Sequence, residues 1–334
     1  VRREIPSEWH ERFTEQNKAG VIQVINWLNK HERTAGYLAN ACSLHRTVVI
    51  QLLNGKYGGV ITANLAKVLQ AIESMDARRE EKNYTPFVST SVSRLVDTAC
   101  VHARVSGMIS VVAANVGTGK TRALREYTHR HANTWMIEAQ PGHNWGCMVD
   151  GIIDALRIKQ FAAYVPVHKK FSVVIEHVKA IEDGLLIVDE AETVNPKTLH
   201  GIRRFCDLGG IGVVLAGTSQ LYSLIRPEGG QFDQIRSRAP FFPEPIYQIT
   251  KDDARAVIAT SFDDRPEVFT DEGDLREEIF EALWSLCDGS MRMLVAGLIP
   301  NIRRYGIAQH NHVSAEVIYA VAKKALNLSP NKRK

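Results

Sequence analysis

Residues 110–121 read Ser110-Val-Val-Ala-Ala-Asn-Val-Gly-Thr-Gly-Lys120-Thr121: an apolar run, a glycine-containing turn, then a lysine–threonine pair that opens a helical stretch. A strand that passes through such a turn into a helix is the backbone context of a P-loop. Gly117 and Gly119 let the chain turn so that successive N–H groups point inward, and the helix starting near Lys120 adds its positive end. Asn115, Val116, Gly117, Thr118, Gly119, Lys120 and Thr121 are therefore the candidate phosphate cradle. Lys120 is expected on the β- and γ-phosphates and the Thr121 hydroxyl on magnesium, which makes ATP and Mg2+ the expected cofactors. One departure stands out: Ala114 occupies the place of the first glycine of the motif.

A second element supports the first. Leu185-Leu-Ile-Val-Asp189-Glu190 is a buried-type apolar strand ending in two acids, which exposes them at its carboxyl end, where ligands bind in open α/β sheets. Asp189 is expected to hold magnesium through water, and Glu190 to orient or deprotonate the attacking water. Alone, such a pair could equally cap the next helix; beside a P-loop the catalytic reading is favoured. A third strand-like run, Gly212–Ala216, ends in Gly217-Thr218-Ser219. Thr218 can reach the γ-phosphate or the attacking water there, or serve as a plain turn or cap residue.

The flanks fill in the architecture. At 334 residues, 45% hydrophobic and 23% charged, the chain has the make-up of an ordinary globular protein with room for two or three domains. The charged start and the lack of any apolar run near ~18–20 residues predict a cytoplasmic protein with no membrane partner. Five scattered cysteines without a CxxC pair predict reduced thiols placed as small core residues, not a disulfide framework or zinc site. Strand-like runs at 109–113, 134–137, 185–188, 212–216 and 246–249 alternate with helical segments at 92–103, 121–129, 145–156, 171–182 and 196–206, which predicts an α/β fold with a parallel sheet flanked by helices. Residues 1–82 read as a bundle of short helices whose charged stretch Asp76–Asn83 is the linker candidate, 83–249 as the sheet domain, and 250–334 as a helical domain with a basic tail, Pro330–Lys334.

Within the first domain, Thr34 to Leu53 has the pattern of a helix–turn–helix. Leu38, Ala39, Leu44, Val49, Leu52 and Leu53 form the expected internal face, and His45, Arg46, Thr47, Ile50 and Gln51 the outward one. From Arg33 to Ile72 there is no Asp or Glu, whereas Arg33, Arg46, Lys56 and Lys67 are present, a balance that suits a polyanion. Arg46, Gln51 and Lys56 are the candidate DNA contacts here; a helical domain that binds protein is the alternative. The net charge of +4 is too small to decide by itself.

These residues resemble the AAA+ ATPases, and within them the DNA-transposition regulators typified by MuB, TnsC and IstB. The resemblance to the MuB kind extends over most of the chain: Pro86-Phe87-Val88 before the P-loop, Arg125-Glu126-Tyr127 after it, Thr134-Trp135-Met136-Ile137 on the second strand, and the blocks Leu186–Ala191 and Val214–Thr218. It implies an AAA+ P-loop core with a helical lid, Thr218 as the sensor following the fourth strand, Arg292 of Gly289-Ser-Met-Arg292 as the lid's nucleotide sensor, and Arg236 or Arg238 as an arginine finger acting on a neighbouring subunit. It implies DNA-backbone contacts from loops of the core, with Asn144, Lys159, Lys169 and Lys170 as candidates. Family members form homo-oligomeric filaments or rings on double-stranded DNA and act with a transposase and, in some, a targeting protein. The implied function is an ATP-dependent regulator of transposition. An ATP-switched helix–turn–helix transcription regulator and a helicase loader are the alternatives, although no aromatic-studded basic groove marks a single-strand channel.

Overall fold

The structure, a computed structural model, describes residues 3–31, 33–83, 85–158, 164–227 and 230–329. The chain divides into two compact units, Val1–Tyr84 and Thr85–Lys334.

The first unit holds helices α1 (Glu15–Lys30), α2 (Ala35–Ala41), α3 (Arg46–Leu53) and α4 (Ile61–Asn83). Thr14 and Thr34 cap α1 and α2 through their hydroxyls, each accepting an otherwise orphan backbone N–H. Val21, Val24, Ile25 and Leu28 of α1 pack with Leu38, Val49, Leu52, Leu65, Val68 and Ile72 in one buried cluster. The expected linker at 76–83 is instead the continuation of α4. Ala, Arg, Glu and Lys there are good helix formers, and no glycine or proline intervenes before Pro86. The Trp27 indole N–H donates to both Asp76 oxygens at 2.8 and 2.9 Å, tying α4 to α1 where the charged stretch begins.

The second unit starts with α5 (Ser91–Ser106), followed by β1 (Ile109–Ala113), α6 (Lys120–Arg130), β2 (Thr134–Glu138), α7 (Trp145–Ala155), α8 (Val167–Lys179), β3 (Leu185–Asp189), α9 (Pro196–Gly209) and β4 (Gly212–Gly217). The sheet is parallel in the order β1-β4-β3-β2. Strands β1, β3 and β4 are buried along their whole length, as their unbroken apolar runs require; β2 lies at an edge and is partly exposed. One face packs on Val96, Ala99, Cys100, Leu124 and Tyr127 of α5 and α6. The other packs on Met148, Ile152, Phe171, Val174, Ile202 and Phe205 of α7, α8 and α9.

The expected fifth strand at 246–249 does not form. Beside β1 the chain makes only isolated bridges, Ser110 to Phe241 and Ala114 to Ile246. Pro240, Pro243 and Pro245 lack the N–H groups that a continuous ladder needs. Helices α10 (Ser219–Ile225) and α11 (Asp233–Arg236) precede this segment, and α12 (Lys251–Ser261) and α13 (Glu277–Cys287) follow it. The remaining helical stretch contains two π-helical turns, Met293–Leu298 and Ile302–Ile307, which flank Pro300 and absorb its missing hydrogen bond. The five cysteines are free thiols. Cys147 is exposed, contrary to the core placement expected for every cysteine, whereas burial raises the Cys206 thiol to about 12. Among the described residues no helix is long and apolar enough to cross a membrane.

A single carboxylate joins the helical C-terminal part to the sheet domain. Asp253, 3% exposed, accepts from the Ser91 backbone N–H at 2.7 Å, the Ser91 hydroxyl at 2.5 Å and the Thr250 N–H at 3.2 Å, serving the N-termini of α5 and α12 together. Burial by itself would raise its pKa, but the bonds from Ser91 and Thr250 outweigh that and hold the carboxyl below the usual aspartate range. Its contribution to stability is therefore complete above the unfolded value of about 3.9 and is lost as pH falls through the lower folded value. Asp253→Asn is expected to reduce unfolding free energy at neutral pH by about 2 kcal/mol. Urea titrations should show that deficit shrinking in acid; the same gap at pH 7 and pH 3 would refute this account.

Candidate functional site

The tips of β1, β3 and β4 converge on one cavity of about 610 Å³. Its floor is the turn from Ala114 to Gly119 and the first turn of α6; its walls are Pro86, Phe87 and Val88 on one side and Val257, Met291, Arg292 and Val295 on the other. Gly117 and Gly119 have φ of +85° and +101°, a region that L side chains rarely enter. Ala114 is not among the positive-φ residues, which explains why a Cβ is tolerated where the motif has glycine. The Thr118 hydroxyl donates to Asn115 O at 2.8 Å and closes the turn on itself, while Val116 projects outward and is 69% exposed.

Lys120 is 5% exposed and Asp189 wholly buried. Lys120 Nζ lies 2.8 Å from Asp189 Oδ1 and 3.5 Å from Glu190 Oε1. The Thr121 hydroxyl donates to Asp189 Oδ2 at 2.6 Å. Glu190 takes a left-handed backbone, φ 55°, and its own N–H donates to Asp189 Oδ1 at 3.0 Å. That sharp turn, strained for a residue with a side chain, lifts Glu190 out of the strand line beside Lys120. Lys120, Thr121, Asp189 and Glu190 are thus brought together.

The chemistry of this set fits a nucleotide. A buried ammonium, a glycine turn and a helix N-terminus suit phosphate oxygens. Thr121 and Asp189 offer hard oxygens to a divalent cation. Among the described residues no group of three or more His, Cys, Asp or Glu gathers, so such a cation would take its other ligands from phosphate and water.

Thr218 and Arg292 both line the cavity. The Thr218 hydroxyl accepts from Gln220 N at 3.3 Å as the cap of α10, so it serves the helix while facing the site. Arg292 N donates to Gly117 O at 2.9 Å, which latches the helical part directly to the phosphate turn. One residue escaped the sequence reading: Glu192, whose Oε1 accepts from Thr218 N at 2.8 Å and ties the end of β3 to the end of β4. Its only sequence signal was a third acid two positions after the pair.

Arg236 and Arg238 lie outside the cavity and differ in their surroundings. Arg238 Nε is 2.6 Å from Asp207 and its Nη1 donates to Gln234 O, whereas Arg236 lies over the Phe242 ring at 4.6 Å and donates to Ala239 O. Asn144 is exposed, and its side chain caps α7 by accepting from Cys147 N. Lys169 is exposed; Lys170 Nζ is 2.7 Å from Asp150. Lys159 and the 330–334 tail lie outside the described residues. In the first unit Arg46, Gln51 and Lys56 are exposed, while Leu38, Ala39, Val49, Leu52 and Leu53 are buried.

The AAA domain family model matches residues 103–225. Over 216 residues the chain is 28% identical to the Mu-like prophage FluMu DNA transposition protein B of Haemophilus influenzae, covering 63% of this chain and 73% of that protein. Over 204 residues it is 28% identical to the ATP-dependent target DNA activator B of Escherichia phage Mu, covering 59% of this chain and 62% of that one. The counterpart in Escherichia phage D108 matches to the same extent. The Aeropyrum pernix ORC2 protein, solved in ADPNP–ADP complexes, superposes with a TM-score of 0.54 over 72% of this chain and 69% of its own; at 12% identity that likeness concerns the fold alone.

Two outcomes check the geometry. Lys120→Met leaves Asp189 buried without its counter-charge and is expected to cost about 3 kcal/mol of stability, measurable by denaturant unfolding. Gly217→Ala would set a Cβ on the Glu192 carboxylate and Leu221, so its melting temperature is expected to fall; an unchanged value would mean that Glu192 does not hold the position described.

Proposed function

Because the chain belongs to the MuB-like AAA+ proteins, we propose that it is an ATP-dependent regulator of DNA transposition that assembles on double-stranded target DNA in its ATP-bound form and acts with a transposase. The observation that carries the nucleotide half is the cluster that Lys120, Thr121 and Glu190, which line one cavity, make with the buried Asp189 behind them. The names of the Haemophilus and phage relatives support the DNA half.

In this reading ATP supplies the transferable phosphoryl group and Mg2+ the charge that screens it. Lys120 neutralises the β- and γ-phosphates in a dry site. Thr121 and Asp189 hold the cation. Glu190 orients the attacking water and accepts its proton, and Thr218 fixes that water or the γ-phosphate from the neighbouring strand. Arg292 reports phosphate occupancy to the helical lid through its contact with Gly117. The finger acting on a neighbouring subunit is Arg236 rather than Arg238, since the Arg238 guanidinium is committed to Asp207. Arg46, Gln51 and Lys56 on the α2–α3 pair, with Asn144, Lys159, Lys169 and Lys170 on the core, are the candidate DNA contacts; Lys170 must first leave Asp150. Hydrolysis then releases the assembly.

Glu190→Gln is expected to bind ATP and DNA but to lower turnover by about 10³-fold, since it removes the proton acceptor while keeping size and position. Electron microscopy of the Glu190→Gln protein on duplex DNA should show ordered assemblies with ATP and not with ADP. Discrete particles in both states would overturn the assembly reading. Near-normal ATPase in the variant would refute the role of Glu190.

A further inference from the structure

Glu192 does not line the cavity, but it holds a residue that does. Its carboxylate crosses from the end of β3 to the end of β4 over Gly217, and there Oε1 accepts from Thr218 N at 2.8 Å. We infer that Glu192 is a positioning residue for ATP hydrolysis: it sets Thr218 against Glu190, so that the hydroxyl of one and the carboxylate of the other address the same water.

The inference rests on the proposed hydrolysis and on the part given there to Thr218; it adds the residue that aligns the two groups. Three features carry it. First, one short helical turn, Ala191–Thr193, serves both of them. Thr193 donates to Glu190 O through its N–H at 2.9 Å and its hydroxyl at 2.8 Å, which fixes the Glu190 main chain. Glu192, the middle residue of that turn, fixes Thr218, so the two groups share one support. Second, little else places Thr218. The pairing of β4 with β1 ends at Gly217, and the bonds from Gln220 N to the Thr218 hydroxyl and from Leu221 N to its carbonyl stay within α10. The Glu192 carboxylate is therefore what refers Thr218 to the end of β3. Third, that carboxylate is only half used. Its Oε2 is buried and has no hydrogen-bond partner among the described residues, whereas an ordinary surface acid keeps both oxygens in water. An arrangement unfavourable for folding alone is expected where the geometry serves chemistry.

The test is steady-state ATPase of the full chain with duplex DNA, with kcat and KM read separately. Glu192→Ala is expected to lower kcat by about tenfold to 100-fold while KM for ATP stays within about twofold, since Lys120, Thr121 and Asp189 still hold the nucleotide and only alignment is lost. Glu192→Gln keeps an oxygen at the same reach and is expected to stay within about threefold of the parent. Glu192→Asp keeps the charge but falls one methylene short, and its kcat is expected to match that of the Ala variant. In a Thr218→Val background, adding Glu192→Ala should cost no more than about twofold, because both changes act at one point. Parental kcat in Glu192→Ala, a Gln variant as poor as the Asp variant, or losses that multiply in the double variant each overturn the inference. So does a lowered melting temperature with kcat per folded molecule unchanged, which would make Glu192 a structural tie alone. Parental turnover in Thr218→Val refutes the role of Thr218 and the inference with it, whereas a parent that does not hydrolyse ATP refutes the proposed function beneath both. If Glu192→Ala fails to fold, the comparison of the Gln and Asp variants decides.

Discussion

The buried pair between Lys120 and Asp189 is the contact around which the second unit is arranged. Both charges are out of water, a state that costs several kcal/mol for each ion unless geometry and hydrogen bonding are good. The chain meets that requirement by assigning every atom of the Asp189 carboxylate: Oδ1 to Lys120 and the Glu190 N–H, Oδ2 to Thr121. Lys120 opens α6 just after β1 and Asp189 ends β3, and β4 lies between those two strands. The pair therefore spans the end of β4, where Gly217 contributes no side chain and Glu192 can cross to Thr218. The sheet order, the glycine at the tip and the strained turn at Glu190 all follow from bringing one lysine to one aspartate.

This arrangement shapes what a ligand meets. The site is not a set of bare groups: the polar atoms of Lys120, Thr121 and Asp189 already bond to one another. In the proposed function, phosphate would have to draw Lys120 from Asp189, and a cation would have to displace the Thr121 proton from the same carboxylate. Affinity is then a difference between two well-made sets of contacts, and neither ligand gains its full effect without the other. The lid enters the same exchange, because Arg292 and Ser290 sit against Gly117, the residue that phosphate must approach.

Much of this was legible in the amino-acid order, and the reasons are local. The runs at 109–113, 185–188 and 212–216 are unbroken and apolar because their strands are buried on both faces, and the glycine turn and acid pair sit at their ends. Where the reading went astray, a local signal was outweighed. The stretch from Asp76 has no apolar face, yet helix-forming residues and the Trp27–Asp76 bonds carry α4 through it. Ile246–Ile249 has the composition of a strand, but the prolines before it withhold the donors. What no spacing could reveal was pairing across distance: Ser91 with Asp253, Glu192 with Thr218, and Tyr222 with Phe242 are chosen by the fold.

The three prolines beside β1 have an effect that reaches past the missing strand. An open sheet edge is a template on which any extended chain can crystallise, and such growth is hard to reverse. With Pro240, Pro243 and Pro245 laid along it, the β1 edge cannot be extended by a backbone from another molecule. Self-association on that side must run through side chains, whose contacts break as readily as they form. Under the proposed assembly, in which copies gather and then disperse, this flank lacks the one kind of bonding that would make gathering permanent.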